Sequence, residues 1–150
     1  VYLATATAGD GKMTDRIRRH QERRGDIWQT VEEPLDLVSA LKEASSAESA
    51  VLVDCLTLWL SNLMTLSRDI EHETASLTAA FPSLTGPIIF VTNEVGLGIV
   101  PANDLARAFR DHAGRLNQAV AAKADRVTMM ISGLPMTLKN EFENERTPRV

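Results

Sequence analysis

Ala50-Val51-Leu52-Val53-Asp54, continuing directly into Cys55-Leu56-Thr57-Leu58-Trp59-Leu60, is the stretch that decides the fold. Four apolar residues follow one another without a two-residue alternation and stop on an acid. A continuous run of this kind suits a strand buried on both faces, as in a parallel sheet flanked by helices. Similar short runs occur at Val1–Thr5, Pro87–Thr92 and Arg126–Ser132, so with Ala50–Leu56 they predict four strands. Helical patterns fill the gaps between them. Residues 14–24 begin on Thr14 as N-cap and place Met13, Ile17 and His20 along one side. Residues 34–46 carry Leu37, Leu41 and Ala44, with Pro34 in the first turn. Residues 57–67 are apolar nearly all round, which predicts burial within the protomer or against a partner. Residues 103–124 have an amphipathic period that puts Leu105, Phe109, Leu116 and Val120 inside. Strand and helix therefore alternate, the mark of an α/β fold with a mostly parallel sheet.

The chain has 150 residues, 44% of them hydrophobic and 24% charged, with eight glycines and six prolines. This composition excludes collagen-like and disordered classes. No apolar run approaches the roughly 18 residues needed to span a bilayer. A single cysteine, Cys55, excludes an internal disulfide and a multi-cysteine metal cage, and fits a reducing, cytoplasmic setting. The formal charge of −4 conceals an asymmetry: residues 1–30 hold six Lys/Arg against four acids, so the remainder is strongly acidic. One basic segment in an acidic protein points to a discrete anionic ligand rather than a nucleic-acid-coating surface. There is no internal repeat. Residues 1–139 read as one nucleotide-binding domain, and 140–150 as a mobile polar tail.

Ligands of open parallel sheets collect at the carboxyl ends of the strands. Strand one ends in Ala4-Thr5-Ala6-Thr7, small residues that let a ligand approach. Strand two ends in Asp54, which is either a Mg²⁺-orienting carboxylate or a helix N-cap. Strand three ends in Val91-Thr92-Asn93-Glu94-Val95-Gly96-Leu97-Gly98-Ile99-Val100-Pro101. There, Gly96 and Gly98 either turn backbone N–H groups toward an anion or close a tight loop. His20 follows Arg16 and Arg19 and precedes Arg23 and Arg24. A neutral imidazole can attack phosphorus while arginines hold the phosphate oxygens. Packing of His20 beside Met13 and Ile17 is the commoner use of such a position, and the pattern leaves both readings open. His72 reads as a solvated helix residue, His112 as a packing residue and Cys55 as an inert buried thiol. The three histidines lack metal-ligand spacing.

In order along the chain stand Tyr2-Leu3-Ala4-Thr5, Arg16-Ile17-Arg18-Arg19-His20, Trp28-Gln29-Thr30-Val31-Glu32-Glu33-Pro34 and Val53-Asp54-Cys55-Leu56-Thr57. The Val91–Pro101 stretch, Phe109-Arg110-Asp111-His112-Ala113-Gly114-Arg115-Leu116-Asn117-Gln118 and Ser132-Gly133-Leu134-Pro135 complete the set. Together they resemble the bifunctional adenosylcobinamide kinase / adenosylcobinamide-phosphate guanylyltransferase family of cobalamin biosynthesis, over residues 1 to about 139. The resemblance implies a P-loop NTPase-like (RecA-like) α/β sheet assembled as a homotrimer. It implies phosphorylation of adenosylcobinamide, then GMP transfer from GTP to adenosylcobinamide phosphate through a histidine–GMP intermediate, giving adenosylcobinamide-GDP. GTP and ATP are the substrates and Mg²⁺ the cofactor. His20 matches the guanylylated histidine, which overturns the packing reading. Nucleotide contacts carry over to Leu3, Ala4, Thr5, Gln21, Glu22, Arg23, Arg24, Glu32 and Asp54, with Asp54 meeting Mg²⁺ directly or through water.

One departure accompanies the resemblance. The family opens with a strand and a glycine-rich loop ending in Gly-Lys-Ser, a first βα unit that has no counterpart here. Gly9-Asp10-Gly11-Lys12-Met13 lacks the leading glycine spacing and the hydroxyl residue after Lys12. As written, the segment is expected to be inactive for want of those phosphate donors. Two other classes stay in view. One is a pseudoenzyme that keeps the trimer, and the other a nucleic-acid-binding module using the Arg16–Arg24 helix. The missing aromatics on that helix and the acidic remainder speak against nucleic acid.

Overall fold

The computed structural model describes residues 1–7 and 27–144. The predicted helix 14–24, with His20, lies outside the described residues. Four short strands form a parallel sheet: β1 (Tyr2–Ala4), β2 (Thr30–Glu32), β3 (Val51–Asp54) and β4 (Ile88–Val91), in the order β2-β1-β3-β4. Helix α1 (Leu37–Ala44) links β2 to β3. Helices α2 (Leu56–Thr65) and α3 (Ile70–Ala80) link β3 to β4. Helix α4 (Asp104–Lys123) follows β4 and leads to a hairpin, β5 (Arg126–Ile131) and β6 (Leu134–Asn140), then a short helix α5 (Glu141–Asn144). The α/β class and the mostly parallel sheet read from the sequence are therefore present.

One face of the sheet carries the core. Leu3, Val51 and Val53 are fully buried and join Leu37, Leu41, Leu56, Trp59, Leu60, Leu63, Leu77 and Leu116 in a single apolar cluster. Each such side chain contributes about 1.5–3 kcal/mol by leaving water. The alternate residues Leu52 and Asp54 are only half-buried, so the apolar run of β3 is wholly buried on one face and partly covered on the other. Helix α2 spends its all-round apolar character inside the protomer: the Trp59 indole N–H donates to the carbonyl of Leu35, ahead of α1, at 2.9 Å, and α3 and α4 pack beside it. Of its apolar residues only Leu66, just past its end, is largely exposed.

Helix starts follow local capping. Helix α4 begins where Asn103 accepts from the Ala106 N–H at 2.7 Å, one residue from the expected boundary. Helix α1 begins at Leu37, not at Pro34. The Glu33 carboxylate accepts from the N–H groups of Leu35 and Asp36, both at 2.8 Å, and Asp36 accepts from Ser39. Those bonds hold Pro34 and Leu35 in a turn ahead of the helix. Leu105 is 71% exposed, so the inward stripe of α4 runs through Ala113, Leu116 and Val120 instead.

The segment Arg126–Ser132 departs most from expectation. It does not extend the parallel sheet. It pairs antiparallel with β6, Ile131 opposite Leu134, across a two-residue turn in which Ser132 and Gly133 both have positive φ. Such a turn matches the twist of antiparallel strands and makes the pairing local. Most of the hairpin is exposed, including Met130, Leu134 and Leu138. Its return strand anchors it, because Lys139 Nζ donates to the carbonyls of Ala121 and Ala122 at the carboxyl end of α4. Asn140, read as the start of a polar tail, thus belongs with Lys139 to β6, and α5 follows. Residues 145–150 lie outside the described residues.

Gly86 holds the approach to β4. Its φ is +76°, and a Cβ there would stand 2.0 Å from the Ser46 carbonyl oxygen. Replacing Gly86 with Ala is expected to lower stability by more than about 1 kcal/mol, since both the backbone conformation and the contact forbid a side chain. A urea unfolding midpoint unchanged by Gly86→Ala would contradict this.

Candidate functional site

Parallel register brings distant residues level with one another. Ala4 pairs with Glu32 on one side and with Asp54 on the other, and Asp54 pairs with Val91. The last residues of four strands thus form a row across the sheet, with neighbouring strands about 4.8 Å apart. Three of the sequence-derived positions, Ala4, Glu32 and Asp54, stand in that row, with Leu3 before it on β1 and Thr5 directly after the strand.

Asp54 is not a helix cap. The N-cap position of α2 belongs to Cys55, which makes no side-chain cap bond. The Asp54 carboxylate turns to the opposite sheet face, where the Tyr2 hydroxyl donates to its Oδ2. Its other oxygen has no partner among the described residues. Tyr2 is itself steadied by Trp28, edge-on at 5.9 Å between ring centroids. Of the two tryptophans, Trp59 is a core residue and Trp28 packs on the side of Asp54.

Leu3 and Thr5 face the core. The Leu3 side chain is fully buried, and the Thr5 hydroxyl has both its bonds inside the protein. It donates to the Cys55 carbonyl at 2.8 Å and accepts from the Cys55 N–H at 2.9 Å. The Thr5 carbonyl accepts from Asn62 Nδ2 at 2.7 Å, and the same amide donates to the Pro34 carbonyl at 3.1 Å. Two strand ends, a helix and the loop after β2 are thereby tied at one point. Thr5 shapes the rim by fixing backbone, and Ala4 presents the small side chain.

The loop after β4 closes on itself. Glu94 Oε1 accepts from the Gly96 N–H at 2.6 Å, and neither Gly96 nor Gly98 has a positive φ. Of the two readings of these glycines, the tight loop is the one realised at Gly96, where a Cβ would press on the Glu94 carboxylate at 2.7 Å. Sequence reasoning did not single out Asn62 or Thr57. Their signal is that they are polar residues inside a helix otherwise apolar nearly all round.

The other candidates fall as follows. His20, Gln21, Glu22, Arg23 and Arg24 lie outside the described residues. His72 is exposed on α3, His112 is half-buried on α4, and Cys55 is a buried free thiol. No group of three or more His, Cys, Asp or Glu side chains able to hold a metal occurs among the described residues. Nor is any helix there long and apolar enough to cross a membrane.

A family model described as cobinamide kinase / cobinamide phosphate guanyltransferase matches residues 1–138. The chain is similar to the bifunctional adenosylcobalamin biosynthesis protein CobP of Pseudomonas aeruginosa, 47% identical over 142 residues, spanning 93% of this chain and 82% of that protein. It is 36% identical to the bifunctional adenosylcobalamin biosynthesis protein CobU of Salmonella typhimurium and 35% to that of Escherichia coli, each over 154 residues, 93% of this chain and 85% of the relative.

Thr5 provides a direct test of the rim. Thr5→Val keeps the shape but strands the N–H of Cys55 in a buried position, at a cost of about 1–3 kcal/mol. Thr5→Ser, which retains the oxygen, should lose less. Equal unfolding free energies for the two variants would show that the hydroxyl is not the tie.

Proposed function

Because the chain belongs to the cobinamide kinase / cobinamide phosphate guanyltransferase family, we propose that it phosphorylates adenosylcobinamide and then transfers GMP from GTP to the resulting phosphate, yielding adenosylcobinamide-GDP and pyrophosphate in the cytoplasm. The observation that carries the reading is the row of strand ends. It sets the half-buried Asp54 carboxylate level with Ala4 and Glu32, at the edge where an open parallel sheet takes nucleotides.

His20 is the nucleophile in this reading. The neutral imidazole attacks the α-phosphorus of GTP, forming an N–P bond as the bond to pyrophosphate breaks. A phosphate oxygen of adenosylcobinamide phosphate then attacks the same phosphorus, and the imidazole leaves. Arg23 and Arg24 hold phosphate oxygens by charge-assisted bonds. Gln21, Glu22, Glu32, Leu3, Ala4 and Thr5 complete the nucleotide contacts. From the described geometry, Leu3 and Thr5 contribute through the backbone they hold and Ala4 through its small size. ATP or GTP serves as phosphoryl donor, and the assembly is a homotrimer.

The donor set suits Mg²⁺. Magnesium takes one or two carboxylates and completes its shell with phosphate and water, so a dedicated cage is not required. Asp54 offers one such oxygen while Tyr2 fixes the other. When bound, the cation neutralises charge on the transferring phosphate. The part played by the chain is to aim that carboxylate.

Two measurements test the reading on the full-length gene product. Incubation with α-labelled GTP should leave an acid-labile, base-stable label on the protein, and His20→Ala should abolish it. Label persisting in that variant would remove His20 from the mechanism. Separately, Asp54→Asn should raise the Mg²⁺ concentration needed for half-maximal turnover by about tenfold or more. An unchanged Mg²⁺ requirement would exclude Asp54 as a ligand.

A further inference from the structure

The loop from Asn93 to Ala102 connects β4 to α4 and starts two residues past Val91, the strand end level with Asp54. It has little packing of its own, because Leu97, Ile99 and Val100 are 79%, 97% and 59% exposed. Its conformation therefore cannot rest on buried apolar area. Polar ties at its two ends take that place, and both lead to α4.

At the start of the loop four hydrogen bonds close a ring. The Asn93 N–H donates to Thr57 Oγ1 at 2.8 Å, and the hydroxyls of Thr57 and Thr92 share a bond at 3.4 Å. The Thr92 hydroxyl donates to Asn117 Oδ1 at 2.8 Å, and Asn117 Nδ2 returns to the Asn93 carbonyl at 3.4 Å. Both backbone polar groups of Asn93 are thus held by side chains from two different helices. At the far end, Arg107 Nη1 donates to the carbonyls of Pro101 and Ala102 at 2.8 and 2.7 Å, and Asp104 pairs with the same guanidinium. Ten residues of α4, about 15 Å of helix, separate the two ties.

We infer that Asn117 and Arg107 are positioning residues that staple the Asn93–Ala102 loop along α4, and that this fixes the loop carrying Glu94 beside the Asp54 strand end for the transfer reactions. The inference rests on the functional reading above for its kinetic consequence, but not for the staples themselves. Neither residue needs to touch substrate. Thr57 shares the first turn of α2 with the Cys55 peptide held by Thr5, so the ring also joins the loop to the rim of β1 and β3.

Amide hydrogen exchange and steady-state kinetics on the full-length protein test this together. Asn117→Ala and Thr57→Val should each speed exchange of the Asn93 amide by about 3–10-fold, the range that loss of one hydrogen bond allows. The amides of β1 and β3 should be unchanged. Thr57→Ser, which keeps the oxygen, should restore slow exchange, and Asn117→Asp should not, since it sets a second acceptor against the Asn93 carbonyl. Arg107→Met should accelerate exchange at the Pro101 end of the loop and leave Asn93 slow. In turnover, Asn117→Ala should lower kcat about tenfold or more, with the nucleotide KM held within about threefold, because misplacement affects the reacting geometry more than remote binding contacts. Exchange unaltered in both Asn117→Ala and Thr57→Val would overturn the ring. Faster exchange with kcat unchanged would overturn its role in positioning. A parent protein without turnover would reject the functional reading instead, and exchange would then decide the staples alone.

Discussion

The buried hydroxyl of Thr5 is the constraint on which the rest of the molecule depends. It is the only polar or charged side chain fully buried among the described residues. An oxygen so placed must find its partners inside the protein or cost the fold heavily. It finds both on the backbone of Cys55, the residue that leaves β3, and so locks two parallel strand ends side by side. Parallel pairing supplies no tight turn to set the register of β1 and β3, since their connection runs through a whole helix. The hydroxyl supplies a local fixed point where the topology has none. Asn62 widens the tie to the loop after β2, and the row of strand ends that carries Asp54 follows from it.

Polar groups at this end of the sheet separate into two kinds. Thr5, Asn62, Thr57 and Asn117 have their hydrogen bonds satisfied by backbone or by the hydroxyls of Thr7 and Thr92, and they act on shape. Asp54 has one oxygen fixed by Tyr2 and the other without a partner among the described residues, so it remains chemically available. The residue types alone do not make this distinction. A threonine at a strand end reads equally well as a phosphate donor or as a brace. The side of the strand to which it points decides the matter, and alternation from the fully buried Leu3 places Thr5 on the core side.

Much of this was legible beforehand, for identifiable reasons. Continuous apolar runs at residues 1–5, 50–56 and 87–92 marked β1, β3 and β4, although only β1 and β3 bury a core-facing side fully, while Ile88 and Phe90 of β4 are half-buried against the core. The amphipathic period of residues 103–124 marked α4, and the helix starts where the Asn103 side chain accepts from the Ala106 N–H. Thr30–Glu32 was not legible as β2: only Val31 of its three residues is apolar, and an edge position asks for little burial. Helix α3 was missed beyond His72 because its sequence is a weakly amphipathic mix in which only Ile70, Leu77 and Ala80 are buried. The hairpin was misread for the opposite reason. Val127, Met129, Met130 and Ile131 look like a core strand, and the Ser132-Gly133 turn that redirects them carried a signal of its own that the apolar run outweighed.

Within the site, the sequence supplied residues, and the fold supplied their relations. Asp54 was recognisable from its place after an apolar run, but its two possible roles could be separated only by the direction of the carboxylate, which faces Tyr2 and leaves the helix cap to Cys55. Asn117 lies 63 positions further along and was noticed only as part of a motif. Its function depends on α4 crossing the end of β4 closely enough for one carboxamide to reach both Thr92 and Asn93. Such a relation is invisible to periodicity, because the hydrophobic stripe of α4 records only which side faces the core. A half-buried asparagine beside that stripe gains its meaning from the strand end it meets. A helix can thus serve the core with Leu116 and the loop with its neighbour Asn117, and a change at either position acts through different physics.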